Sequence, residues 1–243
     1  MRQVPAYLLI GNGCVAKHFQ HYFSLLELPF QTWCRQESLD ELSIKSVHAT
    51  HILLLIKDDA INGFIQEHSQ LFAQKILLHF SGSLNSAKAY GCHPLMTFGS
   101  NLYDLSHYQS IPFVIDQHAP DFSTLLPGLS HPYVRLHESL KAKYHALCVL
   151  SGNFSCLLWQ HFFKCLENEL HIPSEIAFPY LQQQMKNILQ SPETALTGPL
   201  VRNDRDTIVK NLAALEGDPF KQVYQSFVSS YHAINNDEKA GAI

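Results

Sequence analysis

The sequence predicts an α/β fold: a mostly parallel sheet layered with helices, followed by an all-helical second domain. Three observations carry that reading. A strand, a glycine turn and a helix open the chain between Tyr7 and Leu26. Short apolar runs then alternate with segments of helical period up to about residue 138. From Ser139 onward the strand signals stop and long helical periods take over. The expected domains are therefore residues 1–138 and 139–243.

Tyr7 to Ile10 is a short apolar run of the kind that makes a buried parallel strand. It leads into Gly11-Asn12-Gly13-Cys14-Val15-Ala16, a G-x-G-x-x-A turn, and Val15, Phe19, Tyr22, Phe23 and Leu26 then recur at helical spacing. In that setting Gly11 allows the tight turn, Gly13 leaves room for a pyrophosphate, and Ala16 lets the helix pack close to the strand. The helix start offers free N–H groups and partial positive charge to phosphates. The expected cofactor site therefore comprises Gly11, Asn12, Gly13, Cys14 and Val15; the plain alternative is a ligand-free loop.

Pro29 to Trp33 reads as the second strand, and its end is where a dinucleotide's adenosine ribose would lie. Arg35 stands there and Glu37 comes slightly late, which favours NADP and leaves NAD as the second choice. Ser38 with Glu41 three residues on is a helix-capping pattern. His51 to Ile56 is a third buried strand, ending at Lys57-Asp58-Asp59. The two carboxylates cap the next helix, or the turn at Ile56 and Lys57 flanks the cofactor. Residues 61–72 read as helix and Lys75 to Phe80 as a fourth strand, with Ser81 and Gly82 at its carboxyl end. Alternating strands and helices of this kind imply right-handed crossovers, with ligands bound outside the strands' carboxyl ends. Further strands are expected near residues 89–92, 111–116 and 133–137, with turns between the last two.

The second domain begins with one long helix over residues 140–170, bent or broken near Gly152. More helices are expected over 173–190, 205–215 and 219–234, with residues 235–243 polar, small and frayed.

Composition sets limits. The 243 residues are 46% hydrophobic and 16% charged, ordinary for a globular protein. A net charge of −4 without a Lys/Arg cluster gives nucleic acid and anionic membranes no foothold. No apolar run nears the roughly 20 residues that span a bilayer. Residues 1–5 lead straight into the first strand, so no signal peptide is expected. The six cysteines form no C-x-x-C pair and read as free thiols of a reducing cytoplasm. Among fifteen histidines, His18 and His21 sit three apart on a helix, but no third ligand accompanies them and no metal is expected.

His79-Phe-Ser-Gly82, His93-Pro-Leu-Met-Thr-Phe98 and Thr197-Gly-Pro-Leu-Val-Arg-Asn-Asp204, with Lys143-Tyr-His145 and Asn153 as a weaker match, resemble a bacterial family of largely uncharacterised proteins. That family joins a Rossmann-like half to a helical domain of unknown function. It is similar in plan to ketopantoate reductase, 3-hydroxyisobutyrate dehydrogenase and the deazaflavin-dependent NADP oxidoreductases, and its second domain resembles the C-terminal part of 6-phosphogluconate dehydrogenase. This chain departs from the family at Asn203 and Ala16, where glycine is usual. The resemblance implies a helical domain that helps form a homodimer and an active site between the domains. In the better-known relatives a lysine and an asparagine four residues apart on the long helix face the nicotinamide. Here Lys143 and Asn153 are ten apart, nearly three turns, on roughly similar helix faces, so the strict pair is absent.

Hydride transfer to a carbonyl or imine needs a proton donor or acceptor beside it. The candidates are His93, Lys143 and His145, with Tyr144 behind them and Asn153 to orient substrate. His93 precedes Pro94 and is held extended; its alternative is a structural histidine bonding a loop carbonyl. Thr97, Thr197 and Arg202 are candidate substrate contacts, Arg202 pairing with a carboxylate or simply with Asp204 or Asp206. The expected function is NADP-dependent hydride transfer to a small polar or carboxylate-bearing molecule in the cleft between the domains. The alternative is a dinucleotide-binding sensor or partner-binding subunit without turnover.

Overall fold

The computed structural model describes residues 6–240, with side chains through residue 235. The lead segment of residues 1–5 and the last three residues lie outside them. Two compact units divide between Leu158 and Trp159. The long helix expected to open the second domain therefore contributes its first half to the first unit.

In the first unit, β1 (Tyr7–Ile10), β2 (Phe30–Trp33), β3 (His51–Leu54), β4 (Ile76–His79), β5 (Tyr90–Pro94), β6 (Phe113–Asp116) and β7 (Tyr133–Leu136) form one sheet in the order β2-β1-β3-β4-β5-β6-β7. All neighbours are parallel except β5 and β6. The chain moves outward from β1 to β2, then returns to β3 on the other side. This reversal is a topological switch point, where ligands settle on such sheets.

Period-2 alternation decides what each sheet face carries. Leu9, Leu53, Leu78, Cys92, Phe113 and Ile115 pack against α1 (Cys14–Leu25), α4 (Leu105–Ser110) and α5 (Phe122–Leu125). Leu8, Ile10, Ile52, Leu54 and Leu77 pack against α2 (Leu39–His48) and α3 (Asp58–Glu67). Ser38 caps α2 by accepting from the Glu41 amide, as the capping pattern predicts. On the second face β4, β5 and β6 present His79, Gly91, His93 and Asp116 instead of apolar side chains. Over them lies α6 (Lys141–Cys148).

The long helix is interrupted as Gly152 suggests: α6 passes through a π-helical turn, Val149–Asn153, into α7 (Phe154–Asn168). The extra residue in that turn corrects one expectation. Asn153 closes that turn, so its ten-residue spacing from Lys143 is not that of a regular helix, and the shared face inferred from 3.6 residues per turn does not carry over.

The second unit continues α7 into α8 (Phe178–Gln190), α9 (Arg205–Ala214) and α10 (Lys221–Ala240). Residues 235–240 continue α10 to its last turns, and residues 241–243 of the segment expected to fray lie outside the described residues. Among the described residues here, Leu166, Ala177 and Ile208 are the buried hydrophobic side chains, whereas Leu170, Ile176, Tyr180, Leu189 and Val209 are exposed.

Candidate functional site

The glycine turn sits at the switch point. Gly11 has φ +130°, and its amide donates to the Trp33 carbonyl at 2.9 Å. A side chain at Gly11 would collide with the Leu55 carbonyl, just beyond β3. Gly13 precedes α1 in extended geometry, and a Cβ there would meet nothing within 4 Å. No side chain caps α1 and its first turn holds no acidic residue. Asn12, Gly13 and Cys14 are exposed while Ala16 is fully buried against the sheet. The turn thus presents uncapped backbone donors over open space, as a phosphate requires. The Cys14 thiol donates to the Gly99 carbonyl at 3.0 Å and ties the turn to the loop after β5. Val15 is half-buried in the first core.

Arg35 is exposed just beyond β2. Glu37 is engaged: it accepts from the Cys34 amide at 2.9 Å and pairs with Lys45, whose ammonium holds its carboxyl below the usual range. An acidic ribose partner is therefore already spent, and the free charge at this strand end is Arg35.

Beside the turn, Ile56 packs in the second core and Lys57 occupies the N-cap position of α3 without a side-chain cap bond. Asp58 begins α3 and accepts from the Ser81 hydroxyl, while the Ser81 oxygen accepts from the Leu84 amide at 3.0 Å. The capping expected of the two carboxylates is not what they do: Asp58 and Asp59 lie in the first turn of α3, after its N-cap, and Asp58 is engaged by Ser81 instead.

Gly82 lies between two histidine rings. A Cβ there would fall 2.5 Å from His145 Nδ1 and 3.1 Å from His93 Nε2. His93 Nδ1 and the Tyr144 hydroxyl are 2.8 Å apart. Lys141, Tyr144 and His145 stand at helical i, i+3 and i+4 spacing, so one face of α6 delivers all three. Burial, and then the neighbouring His145, push the His93 pKa down to about 4. His93 is thus neutral near pH 7, a hydrogen-bonding group rather than a cation.

Behind this pair lie three groups that the reading of the sequence did not place in the site. Lys141 is buried and its ammonium donates to Asp116 at 2.6 Å. The other Asp116 oxygen accepts from the Gly91 amide at 2.5 Å. His79 is fully buried, and among the described residues neither ring nitrogen has a hydrogen-bond partner. The His145 Nδ1 is likewise buried and unpartnered. Buried polar atoms left in this state cost stability and call for a reason. The signal was in the strand pattern: His79 and Asp116 both close otherwise apolar runs.

Burial pulls the His79 pKa from 6.5 to about 4, with the Lys141 charge adding to it. Between these values the unfolded chain binds the proton and the folded chain does not. Stability from this group is complete above pH about 6.5 and is lost as pH falls toward 4. Urea unfolding should show stability level above pH 7 and lower by about 2 kcal/mol at pH 5 from this histidine alone. In His79→Leu that part of the slope should vanish. An unchanged slope would place the acid sensitivity elsewhere.

The remaining candidates lie apart from this cluster. Lys143, Asn153 and Thr97 are exposed, with no side-chain hydrogen bond among the described residues. In the second unit, Thr197 and Arg202 are exposed in the turns before α9. Asp204 caps α9 through the Thr207 amide at 3.1 Å. No ion pair joins Arg202 to Asp204 or Asp206 among the described residues. Both His18 ring nitrogens are engaged, at 2.8 Å from the Tyr108 hydroxyl and 2.9 Å from the Gly99 carbonyl.

Residues 112–231 match the sequence model of a domain of unknown function, DUF2520. That match begins just before β6 and runs into α10. No curated protein matches the sequence. Among solved structures, a candidate NADP oxidoreductase of Bacteroides fragilis superposes with a TM-score of 0.73 at 21% identity, covering 94% of this chain and 98% of that one. The protein TM1727 of Thermotoga maritima gives 0.68 at 18% identity, covering 96% and 99%. An imine reductase of Myxococcus stipitatus in complex with NADP+ gives 0.60 at 13% identity, covering 98% and 95%. At these identities the likeness is one of fold: a Rossmann-like, mostly parallel sheet followed by helices.

Proposed function

We propose that this protein is an NADP-dependent oxidoreductase that transfers hydride between the nicotinamide and a small polar or carboxylate-bearing substrate. The observation that carries the reading is the uncapped start of α1 behind Gly13, at the switch point of the sheet, with Arg35 as the free charge at the end of β2. The fold neighbours whose names include NADP support the same cofactor. The residues present fit it. Gly11 to Val15 would hold the pyrophosphate, Arg35 a 2′-phosphate, and Ile56, Lys57, Ser81 and Gly82 line the same carboxyl edge. The bound dinucleotide supplies the hydride.

The chain's own part is proton handling and orientation. His93, neutral and set by Tyr144, presents Nε2 beside Gly82. In the tautomer where Tyr144 donates to Nδ1, Nε2–H is the donor that a carbonyl or imine partner needs. His145 stands next to it as a second polar contact. Lys141 and Asp116 anchor the α6 face that positions Tyr144 and His145. The exposed apolar side chains of the second unit fit burial against a second copy of the chain, as a homodimer would provide.

Calorimetry with NADP(H) and NAD(H), followed by a substrate screen that monitors NADPH consumption, tests the reading. Wild type should prefer NADP(H), and Arg35→Ala should erase most of that preference, roughly tenfold or more. Equal affinity for the two dinucleotides in wild type would defeat the NADP assignment. Tight NADPH binding with no turnover on any keto acid, aldehyde or imine would favour the sensor alternative.

A further inference from the structure

We infer that the second unit carries a binding site for zinc, or a similar thiophilic divalent cation, built from His161, Cys165 and Asp218. His161 and Cys165 are four apart on α7 and share a helix face. Asp218 comes from the turn between α9 and α10, 57 residues away from His161 in sequence. One ligand atom of each lies within 4.8 Å of the others. His161 Nε2 is 3.0 Å from Asp218 Oδ2 and 3.6 Å from Cys165 Sγ. The same ring nitrogen is thus the nearest atom to both partners. A proton relay would use opposite nitrogens; convergence on one point is what a metal needs.

The surroundings fix the ligand atoms. The His161 ring stacks on Phe220 at 3.9 Å with an interplanar angle of 8°. Asp218 Oδ1 accepts from the Phe220 amide at 2.7 Å, which leaves Oδ2 for the site. Such outer contacts hold metal ligands in place. A nitrogen, a sulfur and a carboxylate oxygen are zinc donors, and water can complete the tetrahedron. Binding takes the thiol as thiolate, so the Cys165 proton leaves for solvent as the metal enters. With histidine neutral, the dication is balanced by the Cys165 and Asp218 charges. The metal would clamp α7 to the α9–α10 turn. The sequence hides this site because its third ligand is distant and no C-x-x-C marks it.

Cobalt(II) titration of the reduced full-length protein tests it. One equivalent should give a thiolate-to-cobalt charge-transfer band, displaced by zinc. Cys165→Ser should lose the band, and Cys156→Ser, at an exposed cysteine of α7 outside the cluster, should keep it. Asp218→Asn preserves the oxygen that caps Phe220 and should weaken cobalt binding roughly tenfold or more. Zinc should also raise the thermal midpoint of wild type but not of Cys165→Ser. No band in wild type, a band that survives Cys165→Ser, or full affinity in Asp218→Asn would each overturn the assignment. Circular dichroism of both variants separates loss of the site from loss of the fold.

Discussion

Asp116→Asn should destabilise the protein by about 3–5 kcal/mol, the cost of leaving a buried charge without its counter-ion. Lys141 keeps only 6% of its side chain exposed and Asp116 11%, so solvent cannot replace the lost partner easily. The asparagine oxygen would still accept from the Gly91 amide, so the loss isolates the ion pair rather than the strand contact. One relief exists. Asp116 borders a cavity of about 530 Å³ that also touches Lys75 and His118, and water there favours the lower end of the range. Adding Lys141→Met removes the orphaned ammonium, and the double variant should recover most of the stability. A double-mutant cycle by urea unfolding reads this directly. A single-variant loss below about 1 kcal/mol would mean that the pair behaves like a surface salt bridge. Because Lys141, Tyr144 and His145 share a helix face, Asp116→Asn should also loosen the His93–Tyr144 contact.

That pair also shows where reading the sequence stops. The glycine turn, the apolar runs and the capping residues Ser38 and Glu41 were legible because their physics is local. Spacing of a few residues decides them. Lys141 and Asp116 are 25 residues apart and meet only once the sheet has ordered β4, β5 and β6 side by side. His79 is similar: its motif was visible, but its burial depends on the helix that covers it. Lys143 stands out through its match to a family string, whereas the burial of Lys141 depends on Asp116 across the sheet, and the π turn at Val149–Asn153 is not written in any short pattern. Glu37 illustrates the reverse. Its position after β2 was plain, yet only the structure shows that Cys34 and Lys45 already use its carboxylate.

The two turn glycines should respond to alanine in opposite ways, and the contrast tests the nucleotide site without knowledge of the substrate. At Gly11, φ +130° is closed to an L side chain, and the added methyl would strike the Leu55 carbonyl. That carbonyl cannot easily yield: the Leu55 amide donates to Ile10 at 2.8 Å, and the Gly11 amide is held by Trp33. Backbone strain alone is worth about 1–3 kcal/mol, and the clash adds to it. Gly11→Ala should therefore lose both stability, by about 3 kcal/mol or more, and nucleotide binding. At Gly13 the φ of −79° and ψ of −175° suit alanine, and the new methyl meets no protein atom within 4 Å. Stability should stay within about 0.5 kcal/mol of wild type. Yet NADP(H) affinity should fall by about tenfold or more, because the methyl would take the space left for a pyrophosphate against the backbone. Differential scanning calorimetry and NADPH titration on the same samples give both readouts. If Gly13→Ala binds NADPH as tightly as wild type, the open space before α1 is not where a dinucleotide sits.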